Sequence, residues 1–204
     1  MGYQEAYDQG KLKNQSMYFT LTAVIPDLQV FLKDPGHTCH IQNGTLHVNQ
    51  EAFRIEDWTS TLELFDHGVH PPAYVLNMKY TLFFRDAQGE QYHLEGIKNI
   101  YGNSCIHMME MFTTLYVHIR KGWQRGSGEI KYTAILKIDS AHVVSWLMSF
   151  RGYKCGLFDF GINLEQFTAF LLRNVKDDCT NVTSLYTNKF WYIWGSTDKQ
   201  GFLL

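Results

Sequence analysis

Excess basic charge is missing from this chain. Its 18 Lys and Arg stand against 20 Asp and Glu, a formal balance of −2 with His neutral, and the local basic groups, Lys11 with Lys13 and Arg120-Lys121, are sparse. Phosphate binding normally leaves a basic patch or stripe, so nucleic acid is excluded as a partner. Cysteine is equally thin: Cys39, Cys105, Cys155 and Cys179 lie far apart with no CxxC spacing. Zinc-knuckle and thioredoxin-type sites fall away, and free buried thiols in a reducing compartment become the expectation. No apolar run approaches the roughly 20 residues of a membrane span. The polar start, Met1 to Asn14, lacks the apolar stretch of a secretory signal, so a soluble, cytoplasmic protein is expected. No GxGxxG follows a strand, no GxSxG elbow occurs, and neither an internal repeat nor a dividing linker is visible.

What the sequence does contain is apolar alternation. With 204 residues, 45% hydrophobic and 15% aromatic, the chain can bury a core as one domain. The expected layout is a flexible tail over 1–17, a single β-barrel-like domain over 18–194 and a loose tail over 195–204. Val75 to Asp139 carries four long segments with apolar residues at every second position, which spells a β-meander. In its first hairpin, Ala87-Gln88-Gly89 forms a three-residue loop with Gly where a left-handed conformation is needed. That register sets Phe84 opposite Tyr92, Leu82 opposite Leu94 and Tyr80 opposite Gly96, an aromatic ring over a strand glycine. The other face, holding Arg85, His93, Thr81, Glu95 and Lys79 beside Phe83 and Ile97, is read as the solvent side. In the second hairpin, from Met111 to Arg120 and Ile130 to Ile138, pairing Ile119 with Ile130 places Arg120 across from Glu129.

Before the meander, Tyr18 to Ile25 reads as a strand, Asp27 to Leu32 as a short helix entered through Pro26, and Thr38 to Val48 and Thr61 to Phe65 as further strands. After Asp139 the period becomes helical, with Ser140 to Phe150 and Leu164 to Asn174 as helices and Leu185 to Trp194 undecided. The fold class expected is mainly β: an antiparallel β-barrel or strongly curved meander, calycin-like, with short helices packed outside, mostly in the C-terminal third.

Phe19-Thr20-Leu21-Thr22, Pro26 to Pro35, His37 and Gly44-Thr45 continue into Met78 to Asp86, Leu94 to Lys98 and Thr113 to Tyr116. This pattern resembles a domain found beside cholesterol-oxidase-like flavoproteins of the glucose–methanol–choline oxidoreductase family and lipase-type hydrolases. The resemblance covers Tyr18 to Asp139 and extends faintly into the helical region. Since the flavin fingerprint and the nucleophile elbow are both missing, it implies a freestanding accessory module, with no cofactor and no oxidase or lipase chemistry of its own. It implies an oxidoreductase or a lipase-type hydrolase as partner and supplies no catalytic residue.

Weighed residue by residue, the reactive groups give no catalytic constellation. His37-Thr-Cys-His40 and His67-Gly-Val-His70 space imidazoles three apart but lack a second close ligand pair, so no metal site is assigned. His93 and Glu95, near Arg85 and His118, share one strand face as a possible acid/base pair, with a cross-strand charge ladder as the plainer reading. Ser104-Cys105 beside His107 has no enforced geometry, and Met108 to Met111 reads as pliable apolar filling. The apolar row is the candidate ligand site: Tyr80, Leu82, Phe84, Tyr92, Leu94, Leu115, Val117, Tyr132 and Leu136, with Lys98 snorkelling at its rim. The function expected is non-catalytic binding of a lipid- or sterol-like molecule inside the barrel. The alternatives are a small cofactor-free isomerase or cyclase using the same cavity, and a partner-docking domain with a filled barrel.

Overall fold

A computed structural model describes residues 2–67, 76–100, 111–137 and 164–170. The expected helix over Ser140 to Phe150, the segment Leu185 to Trp194 and the tail from 195 lie outside the described residues, as do Ser104, Cys105, His107 and three of the four cysteines. Among the described residues, no helix is long and apolar enough to cross a membrane.

Eight strands make one antiparallel sheet: β1 (Met17–Val24), β2 (Thr38–Val48), β3 (Glu51–Arg54), β4 (Thr61–His67), β5 (Leu76–Arg85), β6 (Gln91–Ile100), β7 (Thr114–Lys121) and β8 (Ile130–Lys137). The order is β1-β2-β4-β5-β6-β7-β8, with β3 paired to β2 off this path. The sheet is curled into a half-barrel. Strands pair with their sequence neighbours through most of this order, so the meander expected for Val75 to Asp139 is present as β5 to β8.

Pattern dictates the pairing of β5 and β6. Phe84 faces Tyr92, Leu82 faces Leu94, Tyr80 faces Gly96 and Met78 faces Lys98, the register a one-residue slip would destroy. The three-residue loop holds, with Gly89 at φ 82° and Asp86 Oδ1 accepting from the Gln88 and Glu90 N–H groups at 2.9 Å each. One inner row therefore crosses six strands: Cys39, Leu62, Tyr80, Gly96, Val117 and Ala134.

The second hairpin departs from its expected register. Ile119 faces Tyr132 rather than Ile130, and a bulge follows, so that Arg120 faces Ile130 and Glu129 is no longer its cross-strand partner. The cause lies on the neighbouring strand: Arg120 Nε donates to Glu95 Oε2 at 3.0 Å, and its guanidinium also reaches the Gly128 carbonyl.

Helix α1 (Tyr3–Leu12) occupies what reads in sequence as a tail. It packs against β8 and stacks Tyr3 on His118, ring centroids 4.5 Å apart. No side chain caps its start and none of its residues is buried, which is why neither a cap nor an apolar stripe betrays it. A short helix forms where expected, as α2 (Leu28–Lys33), but it is started by Asp27 as N-cap rather than by Pro26: Asp27 accepts from the Gln29 and Val30 N–H groups at 2.8 and 3.0 Å. At the same end of the sheet, Phe167 and Phe170 from the helical segment 164–170 pack on Phe31 of α2, and Phe170 reaches Phe65 of β4.

Candidate functional site

Two places gather groups capable of chemistry, one on each face of the sheet. Inside, the residues expected to line a ligand site share one surface. Leu82, Leu94 and Val117 have no exposed area, and Leu115, Phe84 and Tyr80 are buried. Tyr92 lies half-buried with its ring stacked on Phe84 at 5.7 Å, and Leu136 is partly buried against the same core. Tyr132 follows the same parity but, lying on the last strand, is 43% exposed; it stands at the margin of the row. Around Gly96 the packing is close: a Cβ there would lie 3.0 Å from Leu115 Cδ1 and 3.3 Å from Tyr80 Cβ.

Lys98 is where the structure corrects the sequence. The side chain is not at a rim: it is 4% exposed, on the inner face between Met78 and Ile100, both 1% exposed. Burial alone pushes its pKa down from the ordinary 10.5 to about 8, as expected for an ammonium removed from water. Its Nζ lies 5.5 Å from the centroid of the Tyr80 ring, within cation–π range. Among the described residues, no carboxylate pairs with it. The Tyr80 hydroxyl is likewise driven up by burial first, with Cys39 adding to the effect.

Hydrogen-bonded pairing of β6 with β7 stops at Ile97 and Tyr116. β6 nevertheless runs on to Ile100 along β5, and β7 begins at Thr114 along β8. Among the described residues, the β6–β7 register therefore ends one residue before Lys98. This is the end of the sheet where Phe65 meets Phe112, centroids 6.0 Å apart, and Phe170.

Outside, the face read as solvated is covered. His93 has no exposed area, and Phe83 and Thr81 are 6% and 7% exposed. The covering element is the β7–β8 loop. Its Gly122 carbonyl accepts from His93 Nδ1 at 2.6 Å, and its Gly126 N–H donates to Glu95 Oε1 at 2.5 Å. Trp123 packs edge-on to Phe83 at 5.7 Å beneath the Arg85 guanidinium, which lies 4.5 Å from its ring. Arg125 reaches Thr61 Oγ1 at 3.1 Å and Glu63 at 3.6 Å. Sequence reasoning missed this cover; the signal was Phe83 and Ile97 on an otherwise polar face, with a tryptophan in the Gly-rich loop.

A carbonyl can only accept, so His93 Nδ1 carries a proton. Nε2 then faces Glu95 Oε1 at 3.4 Å and makes no hydrogen bond among the described residues. Partial burial raises the Glu95 pKa, but the Gly126 N–H, His93 and Arg120 outweigh it and hold the carboxylate below its ordinary range. His118 lies directly across from Glu95 on β7, its Nδ1 against Thr133 Oγ1 at 3.0 Å, with burial first and Arg120 second pulling its pKa down against the opposing pull of Glu95. Arg85 serves Glu56 and Trp123, away from Glu95. The arrangement fastens a loop, since both partners of the His93–Glu95 pair already hold backbone.

Of the two histidine pairs, only His37 and His40 lie wholly within the described residues. His37 uses Nδ1 on the Phe31 carbonyl at 2.9 Å and lies against Phe170. Cys39 and His40 are adjacent on β2 and so point to opposite faces; Cys39 is fully buried and free, its thiol pushed up to about 12 by burial. His70 is outside the described residues. Among the described residues, no three His, Cys, Asp or Glu gather.

No known protein family, curated protein or solved structure matches the chain.

Proposed function

We propose that this chain is a non-catalytic module that binds a hydrophobic, lipid- or sterol-like molecule on the inner face of its curled sheet, at the Lys98 end. The observation that carries this reading is Lys98 itself: an amine buried beyond the apolar row, with no carboxylate partner among the described residues. Burying an ionisable group without a partner is costly. That cost is offset where a bound molecule presents its one polar group to the amine and its apolar body to Tyr80, Met78 and Leu115, the usual division of labour in a small-molecule site. The module reading carries a cytoplasmic setting, consistent with a free Cys39 thiol, and an oxidoreductase or lipase-type hydrolase as the protein it serves.

A filled-barrel docking domain is the second reading, favoured by the tight approach of Leu115 to Gly96. Titration of the purified protein with a fluorescent fatty acid and a fluorescent sterol, alongside mass spectrometry of lipid released by denaturation, separates the two. Binding with a Kd at or below the micromolar range is expected, and Leu82→Trp should abolish it while leaving the melting temperature little changed. Absence of binding by the wild type, or a Leu82→Trp protein destabilised by roughly 1–3 kcal/mol through overpacking, selects the filled barrel.

A further inference from the structure

We infer that the β7–β8 loop is a proton-operated latch, closed over the outer face of β5 and β6 while His93 is an imidazolium and released when His93 gives up a proton. The latch lies on the opposite face of the sheet from the ligand reading and does not depend on it. What carries the inference is the environment of the two ring nitrogens. His93 has no exposed area, and its Nδ1 donates to the Gly122 carbonyl at 2.6 Å, which places a proton on Nδ1. In a neutral ring Nε2 is then a bare lone pair. It is buried, makes no hydrogen bond among the described residues and faces another acceptor, Glu95 Oε1, 3.4 Å away. A second proton turns this opposed pair into a donor and a carboxylate, and each ring nitrogen then meets an acceptor. A buried cation is tolerated where it is paired and hydrogen-bonded. The closed loop provides both conditions, since Gly122 belongs to it and its Gly126 N–H fixes Glu95.

The surrounding charges leave Glu95 Oε1 available. From β7, Arg120 stands across from His93 and His118 across from Glu95, with Tyr3 of α1 stacked on His118. Arg120 Nε donates to Glu95 Oε2, so Oε1, with two lone pairs, receives the Gly126 N–H and faces His93. From β5, Phe83 lies across from His93, and Arg85 is engaged by Glu56. From the loop, Arg125 is engaged by Glu63. The closed loop binds one more proton at His93 than the open loop, so raising the pH opens it. Protonation of Glu95 removes the same hold from the acid side. The loop is therefore fastened most tightly between the two titrations.

NMR of the histidine ring nitrogens in the full chain tests the inference between about pH 5 and 8, the range in which imidazoles change charge. Both nitrogens of His93 should carry a proton at the low end and only Nδ1 at the high end, and the Gly126 amide signal should move with the same midpoint. Protection against hydrogen exchange in residues 121–129, corrected for the intrinsic pH dependence of exchange, should fall several-fold across the same transition. His93→Gln should lose that fall and His118→Gln should keep it. Should His93→Gln not fold, the wild-type ring and the His118→Gln loop decide. A His93 ring that stays in one protonation state across the whole range, or a loop whose protection falls as much in His93→Gln as in the wild type, overturns the inference.

Discussion

Lys98 also makes a statement about stability. In the unfolded chain its amine titrates near the ordinary 10.5, whereas in the folded chain it titrates near 8. Below pH 8 both states carry the proton and the burial penalty is present in full. Between pH 8 and 10.5 the unfolded state binds more protons than the folded one, so stability rises with pH across that window. The gap is worth about 3 kcal/mol at 1.36 kcal/mol per pH unit. Lys98→Met should therefore unfold at a higher urea concentration than the wild type at pH 7, with the difference shrinking towards pH 10.5. Equal midpoints at pH 7 would mean that the ammonium is well solvated in the folded protein.

Among the elements, the β7–β8 loop is held by groups that face away from the core. Glu95 accepts from Gly126 N–H and Arg120, and His93 donates to Gly122. Glu95→Gln removes the carboxylate charge that strengthens both hydrogen bonds. Hydrogen exchange in a peptide covering residues 121–129 should become at least several-fold faster, with exchange in β5 unchanged. Because the folded Glu95 pKa lies below the ordinary carboxylate value, the stabilisation it supplies is present above that value and is lost as pH falls through the folded pKa. The variant should lack this acid-dependent loosening.

The same loop marks the limit of what the sequence discloses. Alternation in Lys79-Tyr80-Thr81-Leu82 and Tyr92-His93-Leu94-Glu95, with Gly89 in the turn, specifies the β5–β6 register because one slip would oppose Leu82 to Glu95 and turn charge inward. Asp27 after Pro26 specifies the α2 cap in the same local way. Neither the bulge after Ile119 nor the burial of His93 is local. Both follow from Arg120, Glu95 and Gly126 meeting across strands and a loop, information that period alone does not carry. Parity placed Lys98 on the inner face correctly. Its burial depends on tertiary packing, which parity does not report.

At the scale of the molecule, the sheet is open between its terminal strands. Among the described residues, β1 and β8 approach one another but are not paired, so curling leaves two edges where a closed barrel has none. Among the described residues, the β7–β8 loop covers the outer face of β5 and β6, and α1 covers that of β7 and β8. Tyr3 contacts Tyr116 and His118, and Lys137 Nζ reaches the Tyr7 ring at 5.8 Å. Through the register, Tyr116 lies opposite Ile135, so α1 shields an apolar pair beside β8, the edge strand among the described residues. Exposed apolar surface next to unpaired backbone invites self-association. Deleting residues 2–13 should leave the circular dichroism dominated by β-structure while sedimentation velocity shows a concentration-dependent shift to larger species. Tyr3→Ala should move the same way to a smaller extent. A truncated chain that sediments identically to the full chain over a tenfold concentration range would show that the outer face of β7 and β8 needs no cover, and α1 would then be an appendage rather than a component of the fold.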